Sequence, residues 1–196
     1  AYSAVSHGHS HPELVKVLHR QSEVLTITSR AFYNNTLGFF LEKLVNISGL
    51  DIALPMNTGA EAVETAIKAA RLWAYKTKKV EANKAEIIVA EGNFHGRTTT
   101  IISFSTDKQS KEDFGPHTPG FVSIKYGCIE SLKEVITKNT AAFLVEPIQG
   151  EAGIIIPEKE WLSEVRKVCT ENNVLLILDE IQSGLGRTGK MFAFEH

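Results

Sequence analysis

Three short apolar runs in this chain each end on polar residues suited to one kind of chemistry. Glu86–Ala90 is followed by Glu91-Gly92-Asn93-Phe94-His95-Gly96-Arg97. Ala141–Val145 is followed by Glu146-Pro147-Ile148-Gln149-Gly150-Glu151, and Val174–Leu178 by Asp179-Glu180-Ile181-Gln182. In an open parallel sheet, ligands bind outside the carboxyl ends of the strands. If these runs are strands of one sheet, an aromatic ring, an arginine and several carboxylates converge on one edge. That set suits a flat ligand bearing both charges. Each stretch by itself also reads as a polar loop; the convergence of all of them is what points to a site.

Asp179 is the sharpest single position. It closes the aliphatic run Val174-Leu175-Leu176-Ile177-Leu178, where an unpaired carboxylate would be costly to desolvate. It therefore needs a cation, a metal or several donors. A protonated pyridine nitrogen is one such partner, because a facing carboxylate keeps the ring protonated and makes it an electron sink. A charged hydrogen bond of that kind is worth roughly 1.5–3 kcal/mol. Thr58-Gly59-Ala60 is a second element: small residues at a helix start leave backbone N–H groups open, and these with the helix dipole favour phosphate. Taken alone, it is first of all a well-capped helix, a feature worth about 1 kcal/mol. Phe94 could stack on a ring or pack in the core. Arg97 could clamp a carboxylate bidentately or lie at the surface.

Other chemistries fit less well. His7, His9, His11 and His95 have no Cys or Asp partner at ligand spacing, so a metal centre is not expected. The segment Gly184-Leu185-Gly186-Arg187-Thr188-Gly189-Lys190-Met191 approaches a nucleotide-binding phosphate loop. However, Met191 stands where a magnesium-binding Ser or Thr is required, and the loop follows the Asp179-Glu180 pair instead of preceding it. Two cysteines, Cys128 and Cys169, make neither a disulfide framework nor a cysteine-rich metal site, so a reducing compartment is expected. A net charge of −2 gives no reason to expect nucleic acid. No apolar run approaches the roughly 20 residues of a spanning helix, and AYSAVSHGHSH lacks a secretory pattern. The absence of an initiator Met suggests that the true N-terminus lies elsewhere.

The elements that must position these residues alternate as in an α/β domain. A helix is expected after Ser10-His11-Pro12-Glu13, with Ser10 as N-cap and Glu13 as its capping-box partner. A second fits Thr36 to Ser48, with Leu37, Phe40, Leu41 and Leu44 inward and Gly49 as the stop. A third opens on a capping box at Thr58 and Glu61 and turns Val63, Ala66, Ile67, Ala70 and Ala74 inward. Later helices fit Ile129–Lys138 and Glu158–Asn172. Strands fit Glu86–Ala90, Phe121–Tyr126, Ala141–Val145 and Val174–Leu178, apolar enough for both faces of a parallel sheet to be buried. Thr98–Phe104 reads either as a strand, from its β-branched residues, or as a helix opening after a glycine-rich turn.

Together MNTGAEAVETAIKAAR, GNFHGRT, VEPIQGEAG and LILDEIQSGLGRTG, in this order and spacing, resemble the class III, fold-type I aminotransferases that use pyridoxal 5'-phosphate (PLP). The resemblance runs from Tyr2 to the last residue. It implies a large domain built on a mostly parallel sheet, of which residues 1–196 would be part, and a homodimer with sites at its interface. It implies that Gly59 and Ala60 hold the cofactor phosphate, Phe94 stacks on the pyridine ring, Asp179 pairs with the ring nitrogen and Gln182 lies near the phenolic oxygen. Arg97 would take the substrate carboxylate. SRAFYNN, LPMNTGAEA and FGPHTPGF resemble the branch that moves the δ-amino group of ornithine to 2-oxoglutarate. There, Tyr2 would help accept a terminal amine and Glu151 would neutralise a substrate-binding arginine. Branches acting on acetylornithine or 4-aminobutyrate, and a PLP-fold protein without catalysis, remain alternatives. The lysine that the family joins to its cofactor falls beyond the Asp179 motif. No lysine here, Lys190 included, has its context, so these residues alone are expected to be inactive, with the small C-terminal domain absent. Cytoplasm is the expected compartment, with the mitochondrial matrix as the alternative.

Overall fold

A computed structural model describes residues 5–29 and 31–196. The chain forms two compact units, Ala1–Pro55 and Met56–His196.

The first unit carries α1 (Pro12–Ser22) and α2 (Leu37–Ser48). The start of α1 differs from the expectation: its N-cap is His11 without a side-chain bond, and Ser10 lies at φ 53°. Pro12 explains the shift, since proline favours the first helical position. That assignment leaves Glu13 one residue short of the capping-box position. Helix α2 begins after Thr36 and stops at Gly49 in the left-handed region, φ 69°. Its start is held by Asn34 instead of by Thr36: Asn34 Oδ1 accepts the N–H groups of Thr36 at 3.0 Å and Leu37 at 2.7 Å. Neither helix buries a residue. The inward face expected for α2 is only half realised, because Leu41 and Leu44 are half-buried while Leu37 and Phe40 are exposed. A unit of this size, with two helices and no sheet among its described residues, has too little surface to cover both apolar faces.

The second unit is an α/β sandwich. Its elements are α3 (Gly59–Lys76), β1 (Glu86–Ala90), α4 (Thr99–Ile102), α5 (Lys108–Lys111), β2 (Phe121–Ile124), α6 (Ile129–Val135), β3 (Thr140–Val145), α7 (Trp161–Glu171) and β4 (Leu175–Leu178). The four strands pair in parallel in the order β2-β1-β3-β4. Alternate residues feed two cores. Ile87, Val89, Ala142 and Leu144 pack with Val63, Ile67, Ala70 and Ala74 of α3. Ile88, Ala90, Phe143 and Val145 pack with Leu132 of α6 and with Trp161, Val165 and Val168 of α7. The central strand β3 is fully buried, as expected, whereas β4 is half-buried throughout. An edge strand has a neighbour on one side only, so the expectation of two buried faces fails there and at the other edge, β2, which leaves Ser123 exposed and ends at Ile124, short of the expected Tyr126. Thr98–Phe104 resolves as the helix alternative, with Thr98 capping α4. Helices α6 and α7 are shorter than their apolar periodicity suggested. Among the described residues, no helix is long and apolar enough to cross a membrane.

This strand order decides where a ligand can sit. The chain leaves β1 towards β2 on one side and leaves β3 towards β4 on the other. The connections therefore part above the β1/β3 junction, opening a crevice at the carboxyl ends of the strands.

Candidate active site

The floor of this crevice is a buried acid–imidazole pair. Asp179, directly after β4, is anchored by its own N–H, which donates to Val145 O at 2.9 Å. Its carboxylate accepts from His95 Nδ1 at 2.6 Å through Oδ2 and from the Ile181 N–H at 3.1 Å through Oδ1. The two side chains are 0% (His95) and 5% (Asp179) exposed. A carboxylate has no proton to give, so Nδ1 is the donor. His95 Nε2 is buried with no hydrogen-bond partner among the described residues. The partner that Asp179 required is thus, in part, a histidine that sequence reasoning weighed only as a metal ligand. Its signal was available: His95 lies in the same strand-end turn as Phe94.

A second buried carboxyl stands beside the pair. Glu146, directly after β3, is 8% exposed, and its Oε2 accepts the Phe94 N–H at 3.2 Å. Burial pushes its carboxyl up to about 7; the charges of Asp179 and Glu151 push the same way, against His95 and the Phe94 N–H. Tyr126, after β2, donates its hydroxyl to Glu146 O at 3.1 Å and Pro147 O at 2.9 Å. Burial, followed by the Glu146 charge, raises the Tyr126 phenol. Gln149 ties the loops after β3 and β1 together, donating Nε2 to Glu91 O at 2.8 Å. Glu146, Tyr126 and Gln149 were not singled out from sequence, since their roles depend on which strand ends adjoin.

The start of α3 closes the site from above the strands. The expected capping box is present: Thr58 Oγ1 accepts the Glu61 N–H, and Glu61 Oε2 accepts the Thr58 N–H, both at 3.1 Å. A Cβ on Gly59 would lie 3.0 Å from Ile181 Cδ1, and one on Gly96 would lie 3.0 Å from Ala60 Cβ. Gly59 and Ala60 are therefore packed against both the Asp179 turn and the Phe94–Arg97 turn. Gly96 has φ 124°, a backbone conformation open to glycine and strained for other residues.

The remaining predicted residues lie around this centre. Phe94 is 39% exposed, and the Arg97 guanidinium sits 5.5 Å from its ring centroid. Gln182 donates Nε2 to Glu151 Oε1 at 2.9 Å. A Cβ on Gly150 would overlap Gln182 Oε1, so the Gln182 side chain can take this place only beside a glycine. Gly59, Ala60, Phe94, Arg97, Glu151, Asp179 and Gln182 thus belong to one end of the sheet. Tyr2 lies outside the described residues.

The site gathers a buried carboxylate, a partly exposed aromatic ring and the amide end of a helix. A carboxylate offers about four acceptor positions, and Asp179 uses one on each oxygen. Phe94 offers aromatic surface, and the amide end of α3 adjoins the Asp179 turn. Residues 1–196 match the aminotransferase class-III family. An ornithine aminotransferase of Brevibacillus brevis is 62% identical over 193 residues, 98% of this chain and 48% of that protein. The structure of an ornithine aminotransferase of Toxoplasma gondii, described with partial occupancy of PLP at its active site, matches with a TM-score of 0.97. Its identity is 46%, over 99% of this chain and 46% of that one. Acetylornithine aminotransferase of Elizabethkingia anophelis matches with a TM-score of 0.84 at 45% identity, over 100% of this chain and 45% of that one. The chain belongs to the class III aminotransferase family, and it spans about half the length of the curated relatives it matches.

Proposed function

We propose that the protein carrying this chain is a PLP-dependent ornithine aminotransferase, moving the δ-amino group of ornithine to 2-oxoglutarate and giving glutamate semialdehyde and glutamate. The observation that carries this reading is the buried Asp179–His95 pair at the floor of the crevice, set beside the amide end of α3. The 62% identity to an ornithine aminotransferase supports the choice of substrate within the family.

In this reading residues 1–196 are part of the large, cofactor-binding domain. When bound, PLP supplies a carbonyl that exchanges amino groups and a ring that draws electrons away from the substrate carbon. Asp179 is the catalytic residue among those described: its fixed negative charge keeps a proton on a ring nitrogen placed against it. His95 donates to Asp179 and aims its carboxylate. Gly59 and Ala60 offer backbone N–H groups to the phosphate, helped by the positive end of α3. Phe94 stacks on the ring, and Gln182 lies near the phenolic oxygen. Arg97 takes a substrate carboxylate with its planar fork. Glu151 masks a substrate-binding arginine when the diamino acid occupies the site, and Tyr2 is proposed to help accept a terminal amine. A second copy of the chain is the proposed partner, and the cytoplasm is the proposed compartment.

The test is a pair of half-reactions in the full-length protein, followed by cofactor absorbance. Ornithine and glutamate should each convert the bound cofactor. Glu151→Ala should slow the ornithine half-reaction far more than the glutamate one, because only ornithine needs the arginine masked. Equal slowing would sink the masking role, and no response to ornithine would sink the substrate assignment.

A further inference from the structure

Each strand delivers an ionisable side chain to the same end of the sheet: Tyr126 after β2, His95 after β1, Glu146 after β3 and Asp179 after β4. The mechanism above uses Asp179 and His95 and gives Glu146 no task. Yet a buried carboxyl is costly unless its surroundings employ it. What Glu146 touches is the backbone of the turn that bears Phe94 and His95.

That turn needs external ties. It is bracketed by Gly92 at φ 72° and Gly96 at φ 124°, residues whose backbones are the least constrained by their own side chains. Its first half is held by Gly92 N–H to Thr106 Oγ1 at 2.8 Å, by Asn93 Nδ2 to Ala90 O at 2.6 Å and by Gln149 Nε2 to Glu91 O. Between Asn93 and Gly96 the ties are Phe94 N–H to Glu146 and His95 to Asp179. The first of these acts at Phe94, whose ring is partly exposed, one position before the imidazole.

We propose that Glu146 is a positioning residue, whose carboxyl, through the Phe94 N–H, fixes the turn that presents both the Phe94 ring and the His95 imidazole. The proposal leans on the functional reading above only for what Phe94 faces. The groups that set its charge are His95 from the β1 turn, Asp179 from the β4 turn and Glu151 from its own loop, with the Phe94 N–H as donor. Tyr126 donates to the main chain of Glu146 and Pro147, leaving the carboxyl to Phe94. With burial as the dominant influence, Glu146 exchanges a proton near pH 7. A charged acceptor holds an N–H more tightly than a neutral one, so the grip on Phe94 tightens as Glu146 ionises.

The experiment uses full-length protein labelled with 15N-phenylalanine, as wild type, Glu146→Gln and Glu146→Leu. In cofactor-free wild type, the Phe94 amide shift should titrate with a midpoint near 7. Glu146→Gln keeps an acceptor oxygen but has no proton to exchange. It should abolish that titration while holding Phe94 amide protection within about threefold of wild type. Glu146→Leu should lose about fivefold or more of that protection, the effect of one ordinary hydrogen bond, and weaken PLP binding by a similar factor. Wild-type protection of Phe94 in the Leu variant would overturn the proposal. If that variant does not fold, an amide shift that titrates identically in wild type and Glu146→Gln overturns it instead. Lost protection with unchanged PLP affinity would uphold the positioning of the turn and refute only the stacking role of Phe94.

Discussion

Replacing Asp179 with Asn keeps the shape of the side chain and removes its charge. In the wild type, Asp179 Oδ2 takes the Nδ1 proton of His95 at 2.6 Å, and Oδ1 takes the Ile181 N–H at 3.1 Å. Asn can still accept from Ile181, but its amide then turns an N–H towards His95, so Nδ1 must become the acceptor. In the neutral ring the proton moves to Nε2, which is buried without a partner among the described residues. A charge-assisted bond of roughly 1.5–3 kcal/mol is exchanged for a neutral one of about 1 kcal/mol, and an unsatisfied buried N–H adds roughly 1–3 kcal/mol. The net destabilisation is about 2–4 kcal/mol, a fall of several degrees in Tm. Long-range 1H–15N spectra of histidine-labelled full-length protein report which ring nitrogen carries the proton, and thermal unfolding reports the cost. In the PLP-loaded protein, loss of a charged bond to the ring nitrogen should also lower turnover by roughly 10- to 150-fold. An Asn variant that keeps its proton on Nδ1 and unfolds at the wild-type temperature would refute the reasoning.

Three further outcomes are expected. Glu146 has its carboxyl raised from 4.5 to about 7, so the folded state favours its neutral form. Stability from this group is full below about pH 4.5, is lost as pH rises to about 7 and stays lost above it. At about 1.4 kcal/mol per pH unit, Glu146→Gln should gain up to about 3 kcal/mol over wild type at pH 8 and little at pH 4.5. A Tm difference independent of pH would contradict this. Gly150→Ala puts a methyl group onto Gln182 Oε1, the far end of a flexible side chain, so Gln182 should turn aside and lose its bond to Glu151 at a cost of about 0.5–1.5 kcal/mol; a much larger fall in Tm would show that Gln182 cannot move. Arg97→Lys loses the planar fork: substrate KM should rise or kcat fall while PLP affinity stays near wild type, and loss of PLP with intact kinetics in excess cofactor would assign Arg97 to the cofactor instead.

Local interactions were the legible part of this chain. The capping box at Thr58 and Glu61 and the stop at Gly49 were readable because caps act within a few residues. Strand β1 was placed at its observed bounds, and β3 and β4 to within one residue, because continuous aliphatic runs bounded by polar turns have few other solutions. The failures were also local contests. Pro12 displaced Ser10 as the N-cap of α1, and Asn34, which caps the start of α2, was not singled out from sequence.

What only the tertiary structure decided is which strand ends meet. The sequence showed that Asp179, in a buried strand end, required a partner; it did not show that the partner was His95, 84 positions earlier. Nor did it show that Glu146 would hold the Phe94 backbone, or that Gly150 leaves room for Gln182. The order β2-β1-β3-β4 brings the β1 and β3 turns together and sets β4 beside them. Polar groups far apart in sequence acquire partners, altered proton affinities and steric limits only once that order exists. Burial and distance govern hydrogen bonding and charge, and both are properties of the packed sheet that no single strand carries.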